Sequence, residues 1–208
     1  RACPPCCRVR CRRHLDDGTK LFEALPLAGI ADFLGSWKAY EDKVLMLKQA
    51  GIIKEVRDLW WDVRPSPYFG TVEIRICDMP SNFHDILSLT AVIQALAVYI
   101  VEQQLPQLAV DYQLLRYNKW QAARYGVEGR FCDPLGLLGH KQQTVSEAVE
   151  GLLGVLKPTM TMIGSEQWAE GIKNILHRGC STYRQRQLVA EFETFRNMIV
   201  KLHKEFWT

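Results

Sequence analysis

Between Asp58 and Asp78 the chain carries two short runs in which apolar and charged side chains alternate, joined by Pro65-Ser-Pro-Tyr-Phe-Gly70. No other stretch restricts the fold as tightly. Successive side chains of a strand point to opposite faces, so Leu59, Trp61 and Val63 share one face while Trp60, Asp62 and Arg64 share the other. In the second run Val72, Ile74 and Ile76 alternate with Glu73, Arg75 and Cys77. The prolines and Gly70 between them are turn formers. The pattern predicts a β-hairpin, Asp58–Arg64 against Thr71–Asp78, with one apolar face and one bearing Asp62, Arg64, Glu73 and Arg75.

Helical signals surround this hairpin. Ser36 is placed to cap a helix from about Trp37 to Ala50, with Val44, Leu45 and Leu47 on its inner side and Gly51 to end it. A second helix begins at Ser81 or Asn82, carries Asp85 in its first turn and ends before Pro106. A third covers Leu108 to Tyr125, and the Gly- and Pro-containing stretch from Gly126 to His140 reads as a connecting loop. Thr144-Val-Ser-Glu147 is a capping box opening a helix to about Leu156, and further helical stretches run from Ser165 to His177 and from Tyr183 to Glu205. The fold class expected is α+β: an antiparallel hairpin or sheet packed with several helices.

At 208 residues and 48% hydrophobic content the chain can bury one sizeable core, as one domain or a large piece of one. The formal charge of +3 is nearly balanced, and Arg1, Arg8, Arg10, Arg12 and Arg13 crowd into the first thirteen positions. Without them the remainder is slightly acidic, so no nucleic-acid partner is expected. Residues 1–20 also hold Cys3, Cys6, Cys7 and Cys11 and follow neither a helical nor a strand period. They are expected to be an atypical leader, disordered or artefactual, with the folded part at residues 21–208. One Cys-x-x-Cys arm without a second, separated arm is a poor zinc framework, and no disulfide framework follows from seven cysteines. The longest uncharged apolar run, Ile86 to Val101, is shorter than the ~20 residues that cross a bilayer. It reads as a helix buried in protein, with no membrane partner. The start lacks an apolar signal region, which makes a reducing cytoplasm the expected compartment.

The charged face of the hairpin is where chemistry is expected. Residues two apart on a strand lie ~6.6 Å apart, a spacing at which a carboxylate can hold a divalent cation while an arginine neutralises a transferring phosphoryl group. The same four charges also suit ordinary cross-strand ion pairs, worth a few tenths to ~1 kcal/mol each. Spacing alone leaves both readings open.

The run from Trp60 to Asp78, with its Asp-Val-Arg-Pro-Ser-Pro and Gly-Thr-Val-Glu-Ile-Arg-Ile-Cys-Asp blocks, resembles the signature of the glutamate–cysteine ligase type 2, or carboxylate-amine ligase, family. Three flanking stretches agree in the same order: Leu21 to Gly29 with Ser36-Trp37, Asn118-Lys-Trp-Gln-Ala-Ala-Arg-Tyr-Gly126, and Ser181 to Leu188. The resemblance covers about residues 20–190 and implies part of a glutamine-synthetase-like catalytic fold, in which a curved antiparallel sheet holds ATP and Mg2+. It implies a two-step reaction: ATP phosphorylates a carboxylate, and an amine displaces phosphate to form an amide, glutamate and cysteine being the family's namesake pair. By the same resemblance Glu73 is a magnesium ligand, Arg75 contacts the transferred phosphate, and Asp62 and Arg64 line the site. Arg124, Arg184 and Arg186 become candidates for binding substrate carboxylate or nucleotide phosphate.

One departure bears on activity: the Gly-x-Glu-x-Glu type acidic motif of the family's N-terminal half does not occur before Leu21. The chain is therefore expected to be a C-terminal part with little or no ligase activity alone, associating with a complementary N-terminal half or with itself. The second functional reading is a non-catalytic interaction module that keeps the ligase scaffold. Serine-hydrolase and P-loop motifs are absent, and His14, His84, His140, His177 and His203 show no metalloprotease spacing. Cys77 reads as a plain buried or half-buried cysteine, and the Arg178 to Arg186 basic stretch as a solvated helix start.

Overall fold

A computed structural model describes residues 24–103, 110–192 and 194–207. The expected leader, its four cysteines and His14 lie outside the described residues. The chain divides into two compact units. One, the hairpin unit, holds the described residues up to Asp78 and those from Val110 to Tyr117; the other, the helical unit, holds Met79 to Gln103 and Asn118 onward.

In the hairpin unit, β1 (Ala28–Gly29) pairs in parallel with β2 (Trp60–Trp61), and β3 (Val63–Ser66) pairs antiparallel with β4 (Thr71–Ile74). The predicted hairpin is present, but its first strand is split. The break falls at Asp62, whose N–H donates to Gly29 O (2.8 Å) while its carbonyl accepts from both Arg75 N (2.7 Å) and Ile76 N (3.2 Å). Two residues opposing one is a bulge, which bends a strand and ends regular pairing; β4 accordingly stops at Ile74 instead of reaching Asp78. The turn closes through Gly70, whose φ of 63° is the left-handed region that glycine enters without a steric penalty.

Helix α1 (Trp37–Gln49) begins as expected, with Ser36 Oγ accepting from Ala39 N at 3.1 Å. It ends in a Schellman motif: Gly51 N donates to Lys48 O and Ile52 N to Leu47 O, both at 3.0 Å. Tyr40, Val44 and Leu47, spaced at i, i+4 and i+7, turn inward and pack with Ile53 and Leu59. Leu45 was expected with them but is exposed, since one residue past Val44 the helix has rotated ~100° away from that stripe.

The helical unit contains α2 (Phe83–Glu102), α3 (Tyr112–Tyr125, from Asn118 onward), α4 (Val145–Met162), α5 (Ala169–Arg178), α6 (Ser181–Phe192) and α7 (Phe195–Glu205). Asn82 caps α2, accepting from Asp85 N at 3.3 Å. The helix is twenty residues long, longer than its uncharged run, and by length and composition alone could cross a membrane. Packing accounts for one side of it: α2 lies against α4 and α5, and Ala95 joins Leu153, Leu156, Met160 and Ile172 in the unit's core. Only 22% of its apolar stretch is buried within the described residues, so the expectation of a helix buried in protein holds only for that side. Gly171 allows the close approach of α5 to α2, because a Cβ there would fall 2.0 Å from Ser88 Oγ.

Three expectations change here. The loop from Gly126 to His140 contains β5 (Arg130–Cys132), which pairs antiparallel with β6 (Gln142–Thr144); each run is too short for alternation to show. Helix α4 opens with the predicted Thr144–Glu147 capping box but runs through Pro158 to Met162, with Leu156 and Met160 fully buried on either side of the proline. Core packing there overrides a local helix breaker. The closing helix is two helices, because Thr194 takes an extended conformation and caps α7 through Asn197 N (3.3 Å).

Candidate active site

The register of the hairpin sets Arg64 directly opposite Glu73, and Pro65 opposite Val72. The charged and apolar residues do separate onto two faces, but their burial differs from a solvated charged face over an apolar core. Arg64 is only 8% exposed, whereas Val63 and Val72 on the apolar face are 47% and 63% exposed.

What allows a guanidinium to be buried is that its donors are engaged. Arg64 Nη1 donates to the carbonyls of Arg57 (2.6 Å) and Leu59 (2.8 Å), while Nε (3.2 Å) and Nη2 (2.5 Å) both reach Glu73 Oε2. The carbonyls are presented by a 3-10 turn, Val56–Asp58, pinned by the Asp58 carboxylate, which accepts from Lys54 N and Glu55 N. The other oxygen of Glu73, Oε1, accepts from Arg75 Nη1 at 2.7 Å, and the Arg75 guanidinium lies 5.4 Å from the Trp60 ring centroid. Cation–π contact fixes the plane of a side chain that would otherwise sweep freely. Hydrogen bonding from Arg64, supported by Arg75, outweighs desolvation and holds the Glu73 carboxyl below its usual range.

Four of the residues predicted from the sequence therefore meet. Arg64, Glu73 and Arg75 form a continuous ladder, and Asp62 supplies the backbone bulge beside it. Sequence reading missed Trp60, which stacks on Arg75, and the Arg57 and Leu59 carbonyls that hold Arg64; the adjacent tryptophans before Asp62 were the available signal for the first. The apolar face is also more than packing. Val63, Pro65 and Val72 line an open groove of about 700 Å³ with Trp37, Tyr40 and Tyr112, on the opposite side of the hairpin from the ladder.

The remaining candidates belong to the helical unit. Arg184 donates through Nε to Glu205 Oε2 (3.1 Å) and through Nη2 to Oε1, joining α6 to α7; this raises the arginine and lowers the glutamate, with the side-chain hydrogen bond leading in each. Arg124 lies 5.5 Å from the ring centroid of Tyr125, and Arg186 sits half-buried on α6. In the Asn118 block, Asn118 reads the edge of β5 as a strand would: its Nδ2 donates to Cys132 O (2.8 Å) and its Oδ1 accepts from Cys132 N (2.9 Å), while Gln121 Oε1 accepts from Arg130 N (3.1 Å). That motif carries a structural duty legible only with the strand in place. Cys77, expected to be buried or half-buried, is instead exposed, because β4 ends at Ile74 before reaching it; partial desolvation of its sulfur still pushes the thiol up, opposite to an activated nucleophile.

Among the described residues no group of three or more His, Cys, Asp or Glu side chains is arranged to hold a metal ion. Glu73, the implied magnesium ligand, has a guanidinium on each oxygen. These residues do not by themselves fit a protein-built magnesium site.

The family model for glutamate-cysteine ligase family 2 matches residues 8–198. The chain belongs to that family. A protein of Gloeobacter violaceus named "Putative glutamate--cysteine ligase 2" is 34% identical over 189 residues, covering 88% of this chain and 50% of the relative. A relative of the same name from Nitrosospira multiformis is 32% identical over 185 residues, covering 88% of this chain and 49% of the relative. One from Legionella pneumophila strain Paris, named with the suffix 2-2, reaches 42% over 110 residues, covering 52% and 29% respectively. The chain spans about half the length of the family relatives it matches. Within the family match the Arg64–Glu73–Arg75 ladder and the Asn118 block both fall inside the matched range.

Proposed function

We propose that this chain carries part of the active site of an ATP-dependent carboxylate-amine ligase, joining glutamate to cysteine through an acyl phosphate, with residues 21–208 as the C-terminal part of a glutamine-synthetase-like catalytic domain. The observation that carries this reading is the Arg64–Glu73–Arg75 ladder on rigid, paired strands. Phosphoryl transfer is governed by positioning and charge, and a guanidinium held in one plane is suited to the anionic oxygens that develop. Arg75 is the arginine of the ladder with the more accessible side chain, 29% exposed against 9% for Arg64, which supports giving it the phosphate contact in this reading. Mg2+ would arrive on the nucleotide phosphates, as it usually does where few carboxylates are provided. Arg124, Arg184 and Arg186 stand as candidate substrate- or nucleotide-binding residues by resemblance.

The test is ADP release with glutamate and cysteine present. The purified chain alone is expected to release little or none. Mixed with the segment of the Gloeobacter violaceus relative that it does not match, it should sustain ADP release over many turnovers only when both amino acids are supplied, and Glu73→Gln should abolish that release. Equal release by wild type and Glu73→Gln would sink the reading.

The alternative, an interaction module, is favoured by one observation: Tyr68 and Phe69 at the hairpin turn are 90% and 73% exposed. Aromatic side chains left in water at a turn tip are the kind of anchor that protein partners bury. Association with a complementary half or a second copy predicts a concentration-dependent mass in light scattering, reduced by Tyr68→Ser with Phe69→Ser. A strict monomer that binds no such half would remove this alternative.

A further inference from the structure

The ladder holds two arginines in very different surroundings. Arg64 is enclosed, and its Nε, Nη1 and Nη2 all donate to the Arg57 and Leu59 carbonyls or to Glu73 Oε2. Arg75 meets the ladder through Glu73 Oε1 and lies against the Trp60 ring. We propose that Arg64 is a positioning residue: it anchors Glu73 to the Arg57–Leu59 turn, and through Glu73 sets the Arg75 guanidinium over Trp60, without touching a reactant itself. This rests on the ligase reading only for what Arg75 contacts; the transmission from Arg64 through Glu73 to Arg75 stands on geometry alone.

The physical reason is the sharing of one carboxylate. Glu73 takes the Arg64 fork on Oε2, which fixes the direction of its second oxygen, and Arg75 follows that direction. Lysine offers three donors around a point and no planar fork, so it cannot grip two carbonyls and a carboxylate at these angles. An Arg64 that acted directly on a phosphate would have to leave the carbonyls of Arg57 and Leu59, at a cost in unmatched polar groups.

The experiment is side-chain NMR on the full chain, following the Arg75 Nε–H and Trp60 indole resonances with and without added inorganic phosphate. Arg64→Met and Glu73→Gln should each shift both resonances, and the double variant should shift them no further than Glu73→Gln alone. Arg64→Lys should fold and give the same displacement, which keeps the test valid if the methionine variant does not fold. Phosphate should move the Arg75 resonance in wild type, with apparent affinity about ten-fold weaker in Arg64→Lys and the response lost in Arg75→Met. Unmoved Arg75 and Trp60 signals in folded Arg64→Lys would overturn the proposal. So would additive shifts in the double variant, or a phosphate response at Arg64 itself. If wild type fails to respond to phosphate, the assignment of Arg75 to a phosphate contact falls, while the coupling of the variants still decides the role of Arg64.

Discussion

The two faces of the β3–β4 hairpin are built from the same eight strand residues yet solve opposite problems. On one, Arg64 is buried and compensated by two backbone carbonyls and a carboxylate, so its geometry is over-determined. On the other, Val63, Pro65 and Val72 line an open groove, contribute apolar area and make no directional contact. The contrast teaches where precision resides in this unit. Apolar contact tolerates exchange of shape within limits, whereas a forked ion pair fixes the neighbours of every atom it engages.

Substitutions sharpen that contrast, and the largest effect is expected at Arg64. Arg64→Met leaves the Arg57 and Leu59 carbonyls without their donor and should lower unfolding free energy by about 2–4 kcal/mol in denaturant titration. A change under ~0.5 kcal/mol would mean that the buried fork is dispensable. Gly70→Ala comes next: its φ of 63° penalises a Cβ although open space surrounds it, and about 1–2 kcal/mol should be lost, with the register otherwise intact. Val72→Thr on the groove face should change stability by no more than ~0.5 kcal/mol, since the side chain is already largely in water. A much larger loss there would show that the groove face is covered in solution.

The smallest effect is that of pH. The folded-state pKa of Glu73 is depressed, so its stabilising contribution is complete above the ordinary glutamate value of ~4.3 and is lost as pH falls through the lower folded-state value. The stability difference between wild type and Glu73→Gln, measured from roughly pH 6 down to pH 3, should therefore shrink toward acid. A difference that grows as pH falls would contradict the ladder.

How much of this was legible beforehand depended on whether the signal was local. The Ser36 cap, the Thr144–Glu147 capping box, the hairpin and the α+β class follow from spacing along a few residues. The family resemblance, carried by the Asp62 to Asp78 blocks, agrees with the family match. What sequence could not supply was long-range. Burial of Arg64 depends on carbonyls from a turn five to seven residues earlier, and the β5–β6 pair depends on Asn118 and Gln121 reaching from another element. The break at Asp62 arises because the β1 strand occupies one side of that residue while Arg75 and Ile76 share the other. Alternation along the segment carries no record of either neighbour.

The most direct measurement of the central claim uses ATP carrying paramagnetic Mn2+ in place of Mg2+, with side-chain resonances of the full chain followed for broadening. The account predicts broadening of the Arg75 and Trp60 signals on the charged face while the Val63 and Val72 methyls on the groove face stay sharp. Broadening of those methyls with Trp60 and Arg75 untouched would place the nucleotide on the other side of the hairpin and contradict it.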